Sequence, residues 1–523
     1  MYDVIIVGSG PSGVASALEL SEHDIKPLIL DVGYTAQKRI ENTKNLYGMK
    51  ADQNCTDFLV GKNFEYFTKD KQNLPAKLKS PYFDFVTKKQ PFFEVQQKNY
   101  NAITSYAKGG LANAWGSGLM RFSSDEFSGL PITLEDLVPY YEKLEKEIGV
   151  SGKNDDLSLF FGYLDHLQEP LNSSKKTLKI YSKYNKNKKL LNKKNIFLGT
   201  PRIGVSQNKF DVRDKCKYDN LEFWQPNHSS LYTPSMTLDK LISQNLVDYK
   251  SGVFIDRWEK QGDTIKVIGF EVETKKEVAF ITKKLILASG TLNTSRIVLK
   301  SRKDYETKLN FLDNPAIQFP IFFPSYIGQR LETESFGLTQ LNLFYKSEIL
   351  NKNVIGAIVE LTSPLRNEFL DKFPFSFKSN IDCIKYMLPS MMAVQIFLPS
   401  DKRLAGKLSL KKDGNIEIVG NELNVDDELI AEATSKLTNI GLLTHKSLAV
   451  KISHGNGIHY GGTLPMNSNP LTPYETTIDG ELAENKNIYI VDGSTFKVIP
   501  ATNYSLSVMA NSMRITQKMV KTL

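Results

Sequence analysis

The chain opens on an unbroken apolar run, Val4 to Val7. A strand without polar alternation is one buried on both faces, as in a parallel sheet. The period then changes. Val14, Ala15, Ala17 and Leu18 recur at helical spacing, and a second apolar run, "PLIL", ends at Asp31. After residue 35 this regularity lapses, and the next buried runs come much later. In "KKLILASGTLNTSRIVLKS" (283–301) a buried strand leads through a small-residue turn, Ala288–Ser289–Gly290, into a capped helix. The stretch before it, "IKVIGFEVETKKEVAF", alternates as an antiparallel hairpin does. A last buried strand, Ile488 to Val491, ends at Asp492–Gly493. The helix after it carries Leu506, Met509, Ala510, Met513 and Val520 on one face, with Asn503 expected as its N-cap.

Between these parts, "GLTQLNLFY", "VIGAIVEL" and "MMAVQIFLP" read as strands of an antiparallel sheet. The pattern predicts an α/β protein, α+β overall. One domain would hold a parallel sheet of Rossmann-like type and another an antiparallel sheet.

Composition narrows the class. With 523 residues the chain has room for two to four domains. Charged residues at 24% and aromatics at 11% are those of a globular protein. A net charge of +8 is mild for this length and does not call for a nucleic-acid partner. The three cysteines lie far apart, without zinc-ligand spacing, so neither a metal site nor a disulfide framework is expected. No apolar run approaches the ~18–20 residues of a membrane-spanning helix, so no integral membrane segment is expected. The chain begins directly on a strand-like run with no room for a signal peptide, and a cytoplasmic location is expected. Residues 175–194 hold nine lysines and no acid. They read as a solvated face, or as a docking strip for an anionic substrate, a polyprenyl phosphate or a peripheral membrane contact.

The first turn carries the chemistry. Gly8, Gly10 and Gly13 stand in G-x-G-x-x-G spacing between strand and helix, and Asp31 ends the next strand about 23 residues after Gly8. Gly8 would make the tight turn, Gly10 would admit a pyrophosphate, and Gly13 would let helix and strand pack closely. Ser9, Pro11 and Ser12 complete the phosphate loop at the helix N-terminus. An acid in the ribose position favours NAD or FAD over NADP. A second glycine-rich segment, "SYAKGGLANAWGSGLMRF" (105–122), adds Gly109, Gly110, Asn113 and Trp115 as candidate ligand contacts. Val253, Ala288, Ser289, Gly290, Asp492, Gly493, Tyr504 and Ser505 are expected to join them around the same cofactor.

These pieces resemble the glucose–methanol–choline (GMC) family of FAD-dependent alcohol oxidoreductases. The pattern is most similar to its sugar-oxidising branch, which includes pyranose oxidase-like proteins. The matching stretches are the N-terminal fingerprint, "GGLANAW", "PITLEDLVPYYEKLEKEIGVSG", "LILASGTLNTSRIVLKS", "HYGGTLPM" and "VDGSTFKVIPATNYSLSVMA", in family order. The resemblance implies a discontinuous FAD domain over 1–130, 230–305 and 450–523. The substrate domain would take 131–229 and 306–449. It also implies that His459, in an H-x-x-G-T segment with Gly462 and Thr463, is the catalytic base, with His454 as its rival, and that Asn503 holds the same substrate oxygen. An imidazole near its ordinary pKa of about 6.5 would suit that task at neutral pH. The start of the last helix would stabilise a reduced flavin. Ala114 stands where some sugar oxidases carry a flavin-tethering histidine, so FAD is expected to be held non-covalently. Tyr504 replaces the proline that the family usually has after this position, which would shift the helix start.

The implied activity is oxidation of a CH–OH group of a small molecule or glycan, foremost a secondary alcohol of a sugar. A flavoprotein without net redox turnover, such as a mutase or isomerase, and an enzyme for a sterol or other lipid alcohol are the alternatives. No motif specifies the electron acceptor.

Overall fold

The computed structural model describes residues 1–36, 44–68, 71, 74–224, 229–361 and 376–523. The apolar opening run forms the strand Tyr2–Val7 at the middle of a seven-stranded sheet. It pairs in parallel with Leu28–Leu30 on one side and with Glu277–Leu287 on the other. Their ends fall in register, Val7 opposite both Leu30 and Leu287. Ile488–Ile490 joins in parallel beyond Glu277–Leu287, and Asp248–Lys250 beyond Leu28–Leu30.

The unbroken apolar pattern has a direct cause. Val4 and Ile6 face the helices Pro11–Ser21, Pro234–Ser243 and Ser505–Val520, through Val14, Leu238, Leu241 and Ile515. Ile5 and Val7 face the opposite side, against Ile297 and Leu299 of the helix Thr291–Arg302. Both faces are covered, so neither has room for polar alternation. The expected hairpin is present as Thr264–Glu271 against the first half of Glu277–Leu287. That strand is antiparallel to its hairpin partner and parallel to Tyr2–Val7.

The three runs read as antiparallel strands are Thr339–Lys346, Asn353–Glu360 and Met391–Phe397. They lie in a six-stranded sheet with Ile196–Gly199, Ala316–Phe322 and Val450–Lys451. The lysine-rich stretch is the helix Lys175–Lys193, packed on one face of this sheet through Ile180, Tyr184 and Leu191. Lys176 is buried there on Glu360, 2.9 Å away. The helix Asp427–Asn439 covers the same face. A four-stranded sheet that the sequence did not announce joins Val95–Lys98 to Leu309–Phe311, Gly406–Leu410 and Ile416–Val419. Among the described residues, no helix is long and apolar enough to cross a membrane.

Candidate active site

The aligned carboxyl ends of the parallel strands open into a cavity of about 660 Å³. This is where an open α/β sheet places its ligand, and the volume lies within the range of small-molecule and cofactor sites. Gly8 turns the chain at φ +99°, and a side chain there would meet the Ala288 carbonyl. Gly13 lies behind the cavity, where a Cβ would run into the Gly8 carbonyl. Gly10, Gly116 and Gly290 line the cavity, and a Cβ on any of them would meet nothing within 4 Å. They leave a cradle of bare backbone. The helix Pro11–Ser21 points its N-terminus at it with no side chain capping that end, and such an end attracts anionic groups.

Asp31 lines the same end of the cavity. Its Oδ2 accepts from Ser9 Oγ, and from the Tyr249 hydroxyl at 3.3 Å. Burial pushes its carboxyl up to about 6, against these hydrogen bonds. Ser9, Pro11, Ser12, Gly110, Trp115, Val253, Ala288, Ser289, Asp492, Gly493, Asn503, Tyr504 and Ser505 also line the cavity. Gly109 and Asn113 do not. Gly109 donates its backbone N–H to Ser9 Oγ at 3.1 Å, and Asn113 Nδ2 donates to the Lys108 and Gly110 carbonyls at 2.9 and 2.7 Å. These hydrogen bonds shape the second glycine loop.

At the other end stands His459. Its ring lies 5.0 Å from that of Tyr504 and 5.6 Å from that of Phe397. Nδ1 is 3.0 Å from Asn314 Oδ1. Burial lowers its pKa to about 4, and this corrects the expectation of an ordinary imidazole near 6.5. The ring is neutral at pH 7 and free to accept a proton. His454 turns away, with Nε2 2.6 Å from the Leu423 carbonyl, and does not line the cavity.

Asn503 is not the helix N-cap. The last helix begins at Ser505, and its N-cap is Tyr504, at φ −85° and ψ −11°. The first turn closes from the Val508 N–H onto the Tyr504 carbonyl at 2.9 Å, so the cap lies one residue on and the Asn503 carboxamide takes no part in it. That carboxamide lies against Gly118, where a Cβ would come within 3.4 Å of it. The helix Thr291–Arg302 likewise begins after Gly290 with no side-chain cap, against expectation, because Gly290 at φ +80° makes the turn and offers no side chain.

The sequence reading missed the support beneath His459. Leu312 exchanges backbone hydrogen bonds with Gly461, and Asp313 Oδ2 accepts the N–H groups of Gly455 and Gly457 at 2.7 and 3.2 Å. Residues 312–314 thus grip the histidine loop at several points. Also missed was the wall of the cavity. Gln318, Gln395, Ala357 and Asn342 are successive partners across four adjacent strands, and all four line the cavity. Asn342 Oδ1 is buried with no hydrogen-bond partner, which marks it as a place for a donor from a ligand. Alternation along the strands was the available signal, but only the register sets these amides in one row.

No protein-family model and no curated protein matches the chain. Among solved structures it is similar to pyridoxine 4-oxidase from Mesorbium loti, with a TM-score of 0.62 at 12% identity, over 100% of this chain and 99% of that one. Across its whole length, the chain has the fold of that oxidase.

Proposed function

We propose that the chain is an FAD-dependent oxidoreductase of the GMC family that acts on a CH–OH group, with a secondary alcohol of a sugar or glycoside as its favoured donor. One observation carries this reading. A single cavity is lined both by the glycine turn and Asp31 and by His459 and Asn503. The name of the similar structure, an oxidase of pyridoxine, agrees with alcohol oxidation.

The residues fit FAD. The bare backbone of Gly10 and the uncapped helix suit a pyrophosphate, and Asp31 suits ribose hydroxyls. Ala114 lines the cavity and offers no group for covalent attachment, which supports non-covalent binding. The FAD part would comprise 1–130, 230–305 and 450–523, and the substrate part 131–229 and 306–449. When bound, the flavin would supply the hydride acceptor. His459 would take the hydroxyl proton, and the Asn503 carboxamide would hold the same oxygen.

The row of Gln318, Gln395 and Asn342 supports an uncharged, polyhydroxylated donor. Carboxamides both donate and accept, so they match hydroxyl groups in either role. A sterol would leave them buried and unpaired, which is costly. The free thiols of Cys55, Cys216 and Cys383 agree with a reducing, cytoplasmic setting.

The test is anaerobic mixing of the yellow protein with a panel of sugars, glycosides and sterols while the flavin absorbance is followed. Bleaching by a sugar with matching consumption of an added acceptor is the expected result. Turnover that consumes no acceptor and needs pre-reduced flavin would identify a mutase and overturn the reading.

A further inference from the structure

The contact between His459 and Asn314 sets more than the place of the ring. Asn314 is 1% exposed, so its carboxamide must find its partners within the protein. Nδ2 donates to the carbonyl oxygens of Leu398 at 2.8 Å and Pro500 at 2.9 Å, with that of Ile499 at 3.4 Å. A carboxamide turned the other way would set Oδ1 against three oxygens that bring no proton. The orientation is therefore fixed by those carbonyls, and Oδ1 faces His459 Nδ1. Oδ1 can only accept, so Nδ1 must carry the proton. In a neutral imidazole the lone pair then sits on Nε2. With Nδ1 engaged by Asn314, Nε2 is the ring nitrogen left for the cavity that His459 lines.

We propose that Asn314 is a positioning residue: it holds His459 as the Nδ1–H tautomer, so that Nε2 meets the substrate hydroxyl as a proton acceptor. The inference rests on the reading of His459 as the base. The opposite tautomer would present an N–H to the hydroxyl and could not take its proton. Free in water, a histidine populates both forms; here the backbone carbonyls of residues 398, 499 and 500 make the choice through one amide. The Asp313 contacts with Gly455 and Gly457 hold the loop while Asn314 selects the proton position.

Protein labelled with nitrogen-15 at its histidines tests this directly. The chain has six histidines, and the signals of His459 are identified by their loss in His459→Gln. In the wild-type FAD-bound protein at pH 7, the expected spectrum shows Nδ1 protonated and Nε2 bare. The reverse pattern overturns the proposal without need of any further variant. Asn314→Ala should show a mixture of tautomers. Its anaerobic flavin reduction should slow by the Nδ1–H fraction lost and further as the ring loses its fixed orientation, about 10–100-fold in all, the scale seen when a group that orients a metal-bound histidine is removed. Substrate affinity should change little, because the tautomer matters when the proton moves. An Asn314→Ala protein with an unmixed Nδ1–H spectrum or an undiminished rate overturns the proposal. Failure of the underlying reading is separable: it appears as an unchanged reduction rate in His459→Ala, whatever the tautomer.

Discussion

Gly10 and Gly13 stand three residues apart on one turn and face opposite demands. A Cβ on Gly10 would meet nothing within 4 Å, whereas one on Gly13 would collide with the backbone of Gly8. The first glycine keeps space for a ligand and the second keeps space for the fold. Gly10→Ala should therefore leave the thermal stability of the FAD-free protein unchanged, since φ −67° suits alanine, but weaken FAD binding. Gly13→Ala should lower that stability by about 1–3 kcal/mol, the usual cost of overpacking. Calorimetry of both FAD-free proteins, with FAD titrations, separates the two roles. Equal destabilisation by both changes would refute the assignment.

Asp31 makes a prediction that depends on pH. Burial raises its carboxyl to about 6. Ribose hydroxyls donate to the ionised form, so binding favours loss of the proton. FAD affinity should be level above pH 6 and weaken as pH falls below it. Asp31→Ala should weaken binding by about tenfold or more, the scale of hydrogen bonds to a charged group at about 1.5–3 kcal/mol. It should also abolish the pH dependence. Full FAD occupancy in Asp31→Ala after gel filtration would remove this residue from the site.

The glycine turn was legible because its tasks are local: residues 8–31 contain both the turn and its acid. The lock on His459 was not, because Asn314 lies 145 positions away and its chemistry is set by carbonyls from two further segments. Gln318, Gln395 and Asn342 look like unremarkable strand residues until pairing puts them side by side. The Gly462 and Thr463 that follow His459 favour it over His454 in sequence, and of the two only His459 lines the cavity. The shift of the N-cap from Asn503 to Tyr504 follows from where the first turn closes, Val508 onto Tyr504, which no side-chain pattern announces.

His459→Ala should keep its yellow colour, because on this reading the glycine turn and Asp31, not His459, would hold the cofactor. Its anaerobic reduction by substrate should slow by at least about a hundredfold, the low end of what a lost general base costs. His454→Ala should change the rate little. A slow His454 variant beside a normal His459 variant would reverse the assignment.

The acid limb of the rate profile should lie well below that of a free histidine. The folded pKa of His459 is lowered from 6.5 to about 4, so the ring stays neutral as pH falls through 6.5. With saturating FAD, kcat/KM for flavin reduction should hold level across that region and fall only as pH approaches 4. Stability follows the same sign. The contribution of the neutral ring is complete above pH 6.5 and is lost as pH falls towards 4. A rate that halves near pH 6.5 would contradict a buried base.

The amide wall should govern affinity. Gln395→Leu or Asn342→Leu should raise KM for the best sugar by about 3–10-fold, the loss of one hydrogen bond at about 0.5–1.5 kcal/mol. Turnover at saturation should change little, as when binding to ground and transition states is lost equally. Unchanged KM in both variants for every sugar tested would sink the proposed donor class.

The strand Glu277–Leu287 carries a consequence for synthesis. Tyr2–Val7 finds one parallel neighbour only when the ribosome has passed residue 287, and the sheet gains Ile488–Ile490 only once residue 490 has been made. At about 5–20 residues per second, the first strand waits some tens of seconds with an apolar edge unpaired. Pairings so distant in sequence also fold slowly. A nascent chain would expose that apolar edge to holding chaperones, and a chain cut short before residue 488 would carry a glycine turn without its finished floor. Loading of the cofactor would wait until the strands Glu277–Leu287 and Ile488–Ile490 are in place beside the glycine turn.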